Sequence, residues 1–350
     1  MNPRTYLDWN ATAPLRPEAR DAMIAAMDVV GNPSSVHAEG RAAKGLIERA
    51  RGQIAAAFGA EGADIIFTSG ATEGAALGLA GRGLVCADVE HEAVLAWADP
   101  VLPVDRLGQV SVAEPARTAL QLANSETGIV QSLPDGLALC DATQAFGKLP
   151  VAFNWMGAQM ALISAHKIGG PKGIGALVIR WGTDLGAQIR GGGQEMGRRA
   201  GTENVIAIAG FAAAATAAAR DLADGLWDGV AANRDLLENL LADASQDLIC
   251  VGKDQDARRL PNTSCLILPG WKGETQVIQM DLAGFAISAG SACASGKVRA
   301  SKVLRAMGYD ETEAACAVRI SIGPETTQDE VTRFARAWAT AHSRHRARAA

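Results

Sequence analysis

Short apolar runs alternate with stretches of helical spacing along most of the chain, a pattern typical of α/β proteins. Apolar residues recur every three or four positions in residues 41–58, which predicts an amphipathic helix, and another helix is expected from about residue 71. Bounded apolar runs predict strands at 65–68, 84–87, 119–123, 137–141, 161–164 and 175–179. The alternation therefore predicts a largely parallel sheet flanked by helices.

The pattern changes after an alanine-rich helix that is predicted at 204–222. A helix at 233–244 and strands at 264–268, 285–288 and 318–322 predict a second, smaller α+β unit. Thr327 and Glu330 have the spacing of a capping box, so the final helix is expected to begin there. We expect a large domain at 14–222 and a small domain formed by 1–13 and 223–350.

Composition narrows the classes of partner. The 350 residues carry a net charge of −5, which does not favour binding to nucleic acid or to an acidic membrane surface. The alanine-rich uncharged run at 205–219 is shorter than the roughly 20 residues of a membrane span, and the N-terminus has no signal-peptide pattern. Six cysteines without a C-x-x-C pair predict reduced thiols, a cytoplasmic location and no metal site.

The segment TSGATE at 68–73 lies between a predicted strand and a predicted helix. Free backbone N–H groups and the helix dipole favour an anion at such a place, and the hydroxyl of Thr72 adds a donor, so a phosphate fits. An ordinary glycine turn with a threonine cap explains the same segment equally well.

Lys167 directly follows a predicted buried strand and precedes a glycine-rich segment at 169–175. Burial lowers the pKa of an ammonium group, and a neutral amine is the form that condenses with a carbonyl compound. Taken alone, the position also suits a lysine at a strand end that reaches solvent.

Asp141 and Gln144 follow another predicted strand. A carboxylate there could pair with a protonated ring nitrogen and an amide could reach a phenolic oxygen, which are two roles that pyridoxal phosphate (PLP) requires. Asp141 could equally cap the next element. His91 could stack on a ring or move a proton, or it could be a plain surface histidine.

Six segments together resemble cysteine desulfurases of the NifS/IscS type, relatives of the class V aminotransferases. They are TSGATE (68–73), EHEAVL (90–95), DATQ (141–144), SAHK with GPKGIGAL (164–177), GGGQEMGRRAGTENV (191–205) and SAGSACASG (288–296). YLDWNATAP, NPSSVH, AVRISIG and TTQDEV extend the similarity over nearly the whole length. The resemblance implies the PLP-dependent transferase fold of type I, with a large domain built on a mostly parallel sheet and a smaller α+β domain.

The resemblance also implies a role for individual residues. Lys167 matches the lysine that binds PLP covalently, Asp141 the partner of the ring nitrogen, and His91 the histidine stacked on the ring. The other implied cofactor contacts are Ala71, Thr72, Ser164 and His166, Gln144 and Ser125 near the phenolic oxygen, and Thr202 from the neighbouring subunit of a homodimer. Asn32 and Arg319 match positions that bind the substrate carboxylate, and Cys293 matches the nucleophile that becomes a persulfide.

The implied activity is conversion of L-cysteine to L-alanine, with a persulfide formed on Cys293. That sulfur would pass to an acceptor protein for iron–sulfur cluster or related cofactor synthesis. The alternatives are a selenocysteine lyase, another class V PLP enzyme, and a scaffold protein that keeps the fold without catalysis.

The chain departs from the family pattern at several places. Ser125 stands where the family usually has a second asparagine, and the compact region between His91 and Asp141 predicts the loss of a peripheral helix. Lys297 and Arg299 follow Cys293 and are expected to favour its thiolate. The chain also stops soon after its last helix, without the longer tail that related enzymes use to engage a scaffold protein.

Overall fold

The computed structural model describes residues 4–253, 257–290 and 300–349. Its strands are β1 (Thr5–Tyr6), β2 (Asp64–Thr68), β3 (Val85–Ala87), β4 (Asp99–Leu102), β5 (Ala119–Gln121), β6 (Leu137–Asp141), β7 (Ala158–Ser164), β8 (Gly175–Ile179), β9 (Ile249–Cys250), β10 (Thr263–Ile267), β11 (Phe285–Ala286) and β12 (Ala317–Ser321). Its α-helices are α1 (Pro17–Met27), α2 (Ala38–Phe58), α3 (Ala71–Leu79), α4 (Glu92–Leu95), α5 (Val205–Ala223), α6 (Leu226–Ala244), α7 (Gly273–Leu282), α8 (Lys302–Ala306), α9 (Glu311–Ala315) and α10 (Gln328–Ala349).

A five-stranded sheet in the order β2-β8-β7-β6-β5 forms the centre of the fold. Four of these strands run in one direction, and β8 runs antiparallel to both of its neighbours. The connection from β7 to β8 contains only a short 3₁₀ turn, and a parallel return would need a longer crossover. The parallel pair β3–β4 adjoins the β5 side through a bridge between Val85 and Thr118. The expected mostly parallel sheet is confirmed.

Helices cover both faces of this sheet and bury its apolar side chains. α1, α2 and α5 pack together on one face, and α3 packs against β7 and β8 on the other. α5 is long and apolar enough to cross a membrane by length and composition alone, yet 56% of its most apolar window is buried within the fold. Its many alanines let neighbouring helices approach closely, which explains this burial.

A second layer of structure surrounds the antiparallel sheet β12-β10-β9. Leu7, which directly follows β1, lies in the same apolar cluster as Trp271 and Trp338, and β1 itself pairs with β11. The capping box at the start of α10 is confirmed, because Glu330 N donates to Thr327 Oγ1 at 3.2 Å and Thr327 N donates to Glu330 Oε2 at 2.9 Å. The division into domains at 14 and 223 stays a prediction.

Predicted and observed elements agree best where a strand is buried on both faces. β6 and β8 have the predicted bounds, whereas β7 begins at Ala158 rather than at 161 and α6 begins at Leu226 rather than at 233. Helices α1 and α7 had not been predicted. Between His91 and Asp141 the only helical elements are the four-residue α4 and a 3₁₀ turn at Pro115–Arg117, and the loss of a peripheral helix relative to the family stays a prediction.

Candidate active site

The carboxyl ends of β2, β6 and β7 meet at one edge of the central sheet, where open α/β sheets bind ligands. A cavity of about 530 Å³ opens at this edge, within the size range of small-molecule sites. The predicted residues that line it are Ala71, Thr72, His91, Ser125, Asp141, Gln144, Ser164, His166 and Lys167. The sheet therefore brings nine of the predicted site residues together.

The amino end of α3 forms one wall of this cavity. Gly70 precedes the helix, and the turn lies so close to the start of β8 that a Cβ on Gly175 would sit 2.8 Å from the Cα of Gly70. Ser69 N donates to Glu73 Oε2 at 2.7 Å, which braces the turn from inside the helix. Backbone N–H groups at a helix start attract anions, so this wall suits a phosphate.

Lys167 extends from the 3₁₀ turn after β7 to the floor of the cavity. Its Nζ donates to the carbonyl oxygens of Asn10 at 2.6 Å and Ala11 at 3.0 Å. Burial, followed by the charge of Arg319, lowers the pKa of this amine to about 8, although Asp141 and Asp8 act in the opposite direction. A substantial fraction of Lys167 is therefore neutral near physiological pH and able to react with a carbonyl group.

Asp141, at the end of β6, and His91, in the loop after β3, both line the cavity. Asp141 Oδ1 accepts from Thr143 N at 2.9 Å, which orients the carboxylate at the end of β6. His91 caps α4, because its Nδ1 accepts from Ala93 N at 3.1 Å. A helix cap is therefore observed for His91 and not for Asp141, which is followed by a turn, and both residues line the cavity.

His166 remains a neutral imidazole at physiological pH. Burial and the nearby charges of Lys167 and Lys172 lower its pKa to about 4. Its Nδ1 lies 3.2 Å from the Oγ1 of Thr12, so the ring is held by a residue of the N-terminal segment. A neutral ring at this wall can either donate or accept one hydrogen bond at its second nitrogen.

Gln144 is held by two buried neighbours. Its Nε2 donates to the carbonyl oxygen of Asn10 at 3.0 Å, and its Oε1 accepts from Lys148 Nζ at 2.8 Å. The main-chain oxygen of Ser125 accepts from Asn10 Nδ2 at 3.2 Å and from Arg319 at 3.0 Å. Ser125 thus contributes its backbone to the architecture of the site.

A second cavity of about 340 Å³ adjoins the first and shares Lys167, His91 and Ser125 with it. Arg319 lines this second cavity and pairs with Asp8, whose Oδ1 lies 2.6 Å from Arg319 Nη2. Ser288 holds the other carboxylate oxygen of Asp8 at 2.8 Å. The Nε of Arg319 is buried and has no hydrogen-bond partner among the described residues.

Two predicted residues lie apart from these cavities in the single chain. Asn32 is exposed and accepts from Ser34 N, and it lines neither cavity. Thr202 is exposed and lines a separate depression on the outer side of the turn at Ser69. The role of Thr202 was expected only for a neighbouring subunit. Cys293, Lys297 and Arg299 lie outside the described residues.

Several residues of the site were not predicted. Asp8, Asn10 and Thr12 come from the N-terminal segment, and the segment YLDWNATAP had entered only as part of the resemblance. Thr143, whose buried Oγ1 has no partner among the described residues, lines the first cavity. Lys148 lies behind Gln144. Spacing alone could not reveal the contacts of the N-terminal segment, because they join residues more than 100 positions apart.

The aminotransferase class-V family model matches residues 5–334. The chain belongs to this family. A cysteine desulfurase of Cereibacter sphaeroides is 38% identical, with 95% of this chain and 94% of that protein covered, and the cysteine desulfurase IscS of Dictyoglomus turgidum is 34% identical, with 95% and 92% covered. The class-V fold is also seen in a NifS-like protein from Rickettsia africae, at a TM-score of 0.88 and 30% identity, with 97% of this chain and 99% of that chain covered.

Members of the class-V family use PLP, and the residues of the first cavity fit that cofactor. The start of α3 offers backbone donors for the phosphate, Asp141 offers a carboxylate for the ring nitrogen, and Lys167 offers an amine of lowered pKa for the aldehyde. The orphaned hydroxyl of Thr143 indicates a further polar contact with a bound molecule. The cavity residues therefore match the phosphate, the ring nitrogen and the aldehyde of PLP.

Proposed function

We propose that the protein is a PLP-dependent cysteine desulfurase that converts L-cysteine to L-alanine and collects the sulfur on Cys293. One observation carries the proposal. Lys167, an amine of lowered pKa, stands where a cavity suited to PLP meets a cavity lined by Arg319. The family and its cysteine desulfurase members support the same reading.

The chain's own residues divide the work between the two cavities. Asp141, Gln144, His91 and the start of α3 hold the cofactor, while Arg319, which lines the second cavity, binds the carboxylate of L-cysteine. When bound, PLP supplies an electron sink that stabilises negative charge at the substrate Cα and so weakens the bond between the adjacent Cβ and sulfur. Lys167 is placed to remove the proton from that carbon as a neutral amine.

Cys293 receives the sulfur in this proposal. Its thiolate bonds to the substrate sulfur as the carbon–sulfur bond breaks, which leaves L-alanine and a persulfide on the enzyme. The five described cysteines are all buried, and burial raises the pKa of Cys86 to about 12 and that of Cys250 to about 12. Buried, protonated thiols are poor nucleophiles, which supports Cys293 as the reactive one.

The proposal includes a cytoplasmic homodimer that passes sulfur to an acceptor protein. In a dimer, Thr202 on the exposed loop between β8 and α5 would complete the phosphate site of the other subunit. Asn32, exposed on the same surface region as α2, would contribute to the substrate carboxylate site. IscS names among the relatives support iron–sulfur cluster assembly as the destination of the sulfur.

The direct test measures L-alanine and sulfide released from L-cysteine by the purified holoprotein in the presence of a thiol reductant. We expect equal amounts of the two products from the wild type and none from Lys167→Ala. Cys293→Ala should lose desulfuration, whereas the control Cys86→Ala, which alters a buried cysteine outside the site, should retain it.

The same assay separates the alternatives. Loss of cysteine desulfuration with retained selenocysteine cleavage in Cys293→Ala agrees with the proposal. Equal activity on L-cysteine in wild type and Cys293→Ala would refute the assigned role of Cys293. Bound PLP gives a visible absorbance that borohydride removes. If the purified protein lacks this absorbance, it binds no PLP, which would indicate a scaffold protein instead.

A further inference from the structure

Lys148 is a buried lysine that the proposed chemistry does not use. Lys148 is only 3% exposed, and it lies four residues after Gln144 in the sequence. Within the described ranges it forms no ion pair with a carboxylate, and the charges that act on it are those of Lys167 and Arg319. A buried lysine without an acid partner is rare and calls for a specific explanation.

The partners of Lys148 are the oxygens of two side-chain amides. Its Nζ lies 2.8 Å from Gln144 Oε1 and 3.0 Å from Asn10 Oδ1. The neutral amine has two N–H groups and the ammonium has three, so both bonds form in either protonation state. The geometry therefore does not depend on the charge of Lys148.

These contacts determine which end of the Gln144 amide meets the cavity. Because Oε1 is turned back towards Lys148, the NH₂ group lies on the side of the Asn10 carbonyl, to which it donates at 3.0 Å. Gln144 lines the first cavity, and the second N–H of its amide has no hydrogen-bond partner among the described residues. The cavity therefore faces a donor at this position rather than an acceptor.

Asn10 connects the same arrangement to Lys167. Its carbonyl oxygen accepts from both Gln144 Nε2 and Lys167 Nζ, the latter at 2.6 Å. Its side chain is held in turn by Asn262 and Thr263 at the start of β10. Lys148, Gln144, Asn10 and Lys167 thus form one continuous hydrogen-bonded chain behind the cavity.

We propose that Lys148 is a positioning residue that holds the Gln144 amide with its NH₂ group towards the phenolic oxygen of bound PLP. The inference rests on the proposed function, since it assumes that PLP occupies the first cavity. A donor at that oxygen withdraws electron density from it and so eases loss of the proton from the neighbouring nitrogen that links Lys167 to PLP. Lys148 acts on the cofactor through Gln144 and does not itself touch it.

The test replaces Lys148 with methionine, which has a similar length and no donor. Without Lys148, Gln144 Oε1 becomes a buried acceptor without a donor, and the amide will turn to find another. We expect the midpoint pH of the visible absorbance change of bound PLP, measured without substrate, to rise by about one unit. Lys44→Met, an exposed lysine on α2, is the control and should leave the midpoint unchanged.

A double-variant cycle distinguishes positioning from a charge effect. The charged or titratable groups that face Lys167 besides Lys148 are Arg319, Asp141, Asp8 and the neutral His166, and all of them remain in these variants. If Lys148 acts through Gln144, then Gln144→Met alone and Gln144→Met with Lys148→Met will share one midpoint. Additive shifts, or no shift in Lys148→Met, would overturn the inference.

Folding and cofactor binding are read separately. A wild type without the visible band of bound PLP refutes the proposed function, whereas a normal band with an unaltered Lys148→Met midpoint refutes only the positioning role. If Lys148→Met does not fold, a high-resolution crystal structure of the wild-type holoprotein decides. The inference is supported if Gln144 Nε2 lies within hydrogen-bond distance of the phenolic oxygen while Gln144 Oε1 contacts Lys148. Any other orientation of the amide contradicts it.

Discussion

Lys167 and Arg319 line the same cavity as like charges, and burial together with the Arg319 guanidinium lowers the pKa of the Lys167 amine to about 8. The neutral amine is the form that attacks the PLP aldehyde, and its fraction grows as the pH rises. The rate at which apoprotein binds PLP covalently should therefore increase through about pH 8 and then level off. Stopped-flow absorbance after addition of PLP measures this profile.

The charge of Arg319 can be removed to test the cause. Arg319→Gln removes a positive charge that lowers the pKa of Lys167. The pH profile of covalent PLP binding should therefore move to higher pH by about half a unit. Arg117→Gln, on the exposed 3₁₀ turn, should leave it in place. A wild-type midpoint near the ordinary lysine value of about 10.4 would contradict the argument.

Gly175 allows the first turn of α3 to lie against the start of β8. A methyl group there would meet the Cα of Gly70 and the carbonyl oxygen of Ile163, both at 2.8 Å, and neither backbone atom can move freely. Gly175→Ala should weaken PLP binding at least about tenfold, equivalent to about 1.4 kcal/mol. Equilibrium titration of apoprotein with PLP measures it. Gly186→Ala has open space around it and should bind PLP normally.

His91 combines a structural role with a predicted contact to the cofactor ring. Its Nδ1 caps the short helix α4, and an asparagine can replace the cap but cannot replace the ring. His91→Asn should keep the wild-type unfolding free energy within about 0.5 kcal/mol and lower kcat by about 100-fold. His91→Ala should lose about 1 kcal/mol of stability as well. Full activity in His91→Asn would show that only the cap matters.

The loop at 191–204 is attached to the main body by a buried ion pair. Both nitrogens at the tip of Arg51 contact the carboxylate of Glu195, at 2.9 and 3.1 Å, and Phe67 N donates to it at 3.0 Å. Glu195→Gln leaves Arg51 without its buried partner and should lower the free energy of unfolding by about 3 kcal/mol. Urea denaturation measures this.

The matched control for this pair uses the same arginine. Glu48 also contacts Arg51, at 3.3 Å, but its side chain is 55% exposed. Glu48→Gln should change stability by less than about 0.5 kcal/mol. Equal losses in the two variants would mean that burial of Glu195 has no energetic consequence.

The local sequence determined most of the central sheet and the first cavity. Buried strands such as β6 and β8 have continuous apolar runs bounded by polar or glycine-containing turns, so their bounds follow from neighbouring residues. Asp141, Ser164 and Thr68 end their strands in sequence, and parallel strands bring such ends to one edge. The motif series then identified the family, as the class-V model confirms.

Tertiary structure alone decided what surrounds these residues. The pairing of Asp8 with Arg319, the contact of Lys148 with Gln144, and the donation of Lys167 to Asn10 join positions that no local pattern connects. Even the four-residue separation of Lys148 and Gln144 does not reveal that both are buried behind a cavity. Hydrogen bonds and charge effects depend on distance and burial in the folded chain, and periodicity describes only which face of an element is apolar.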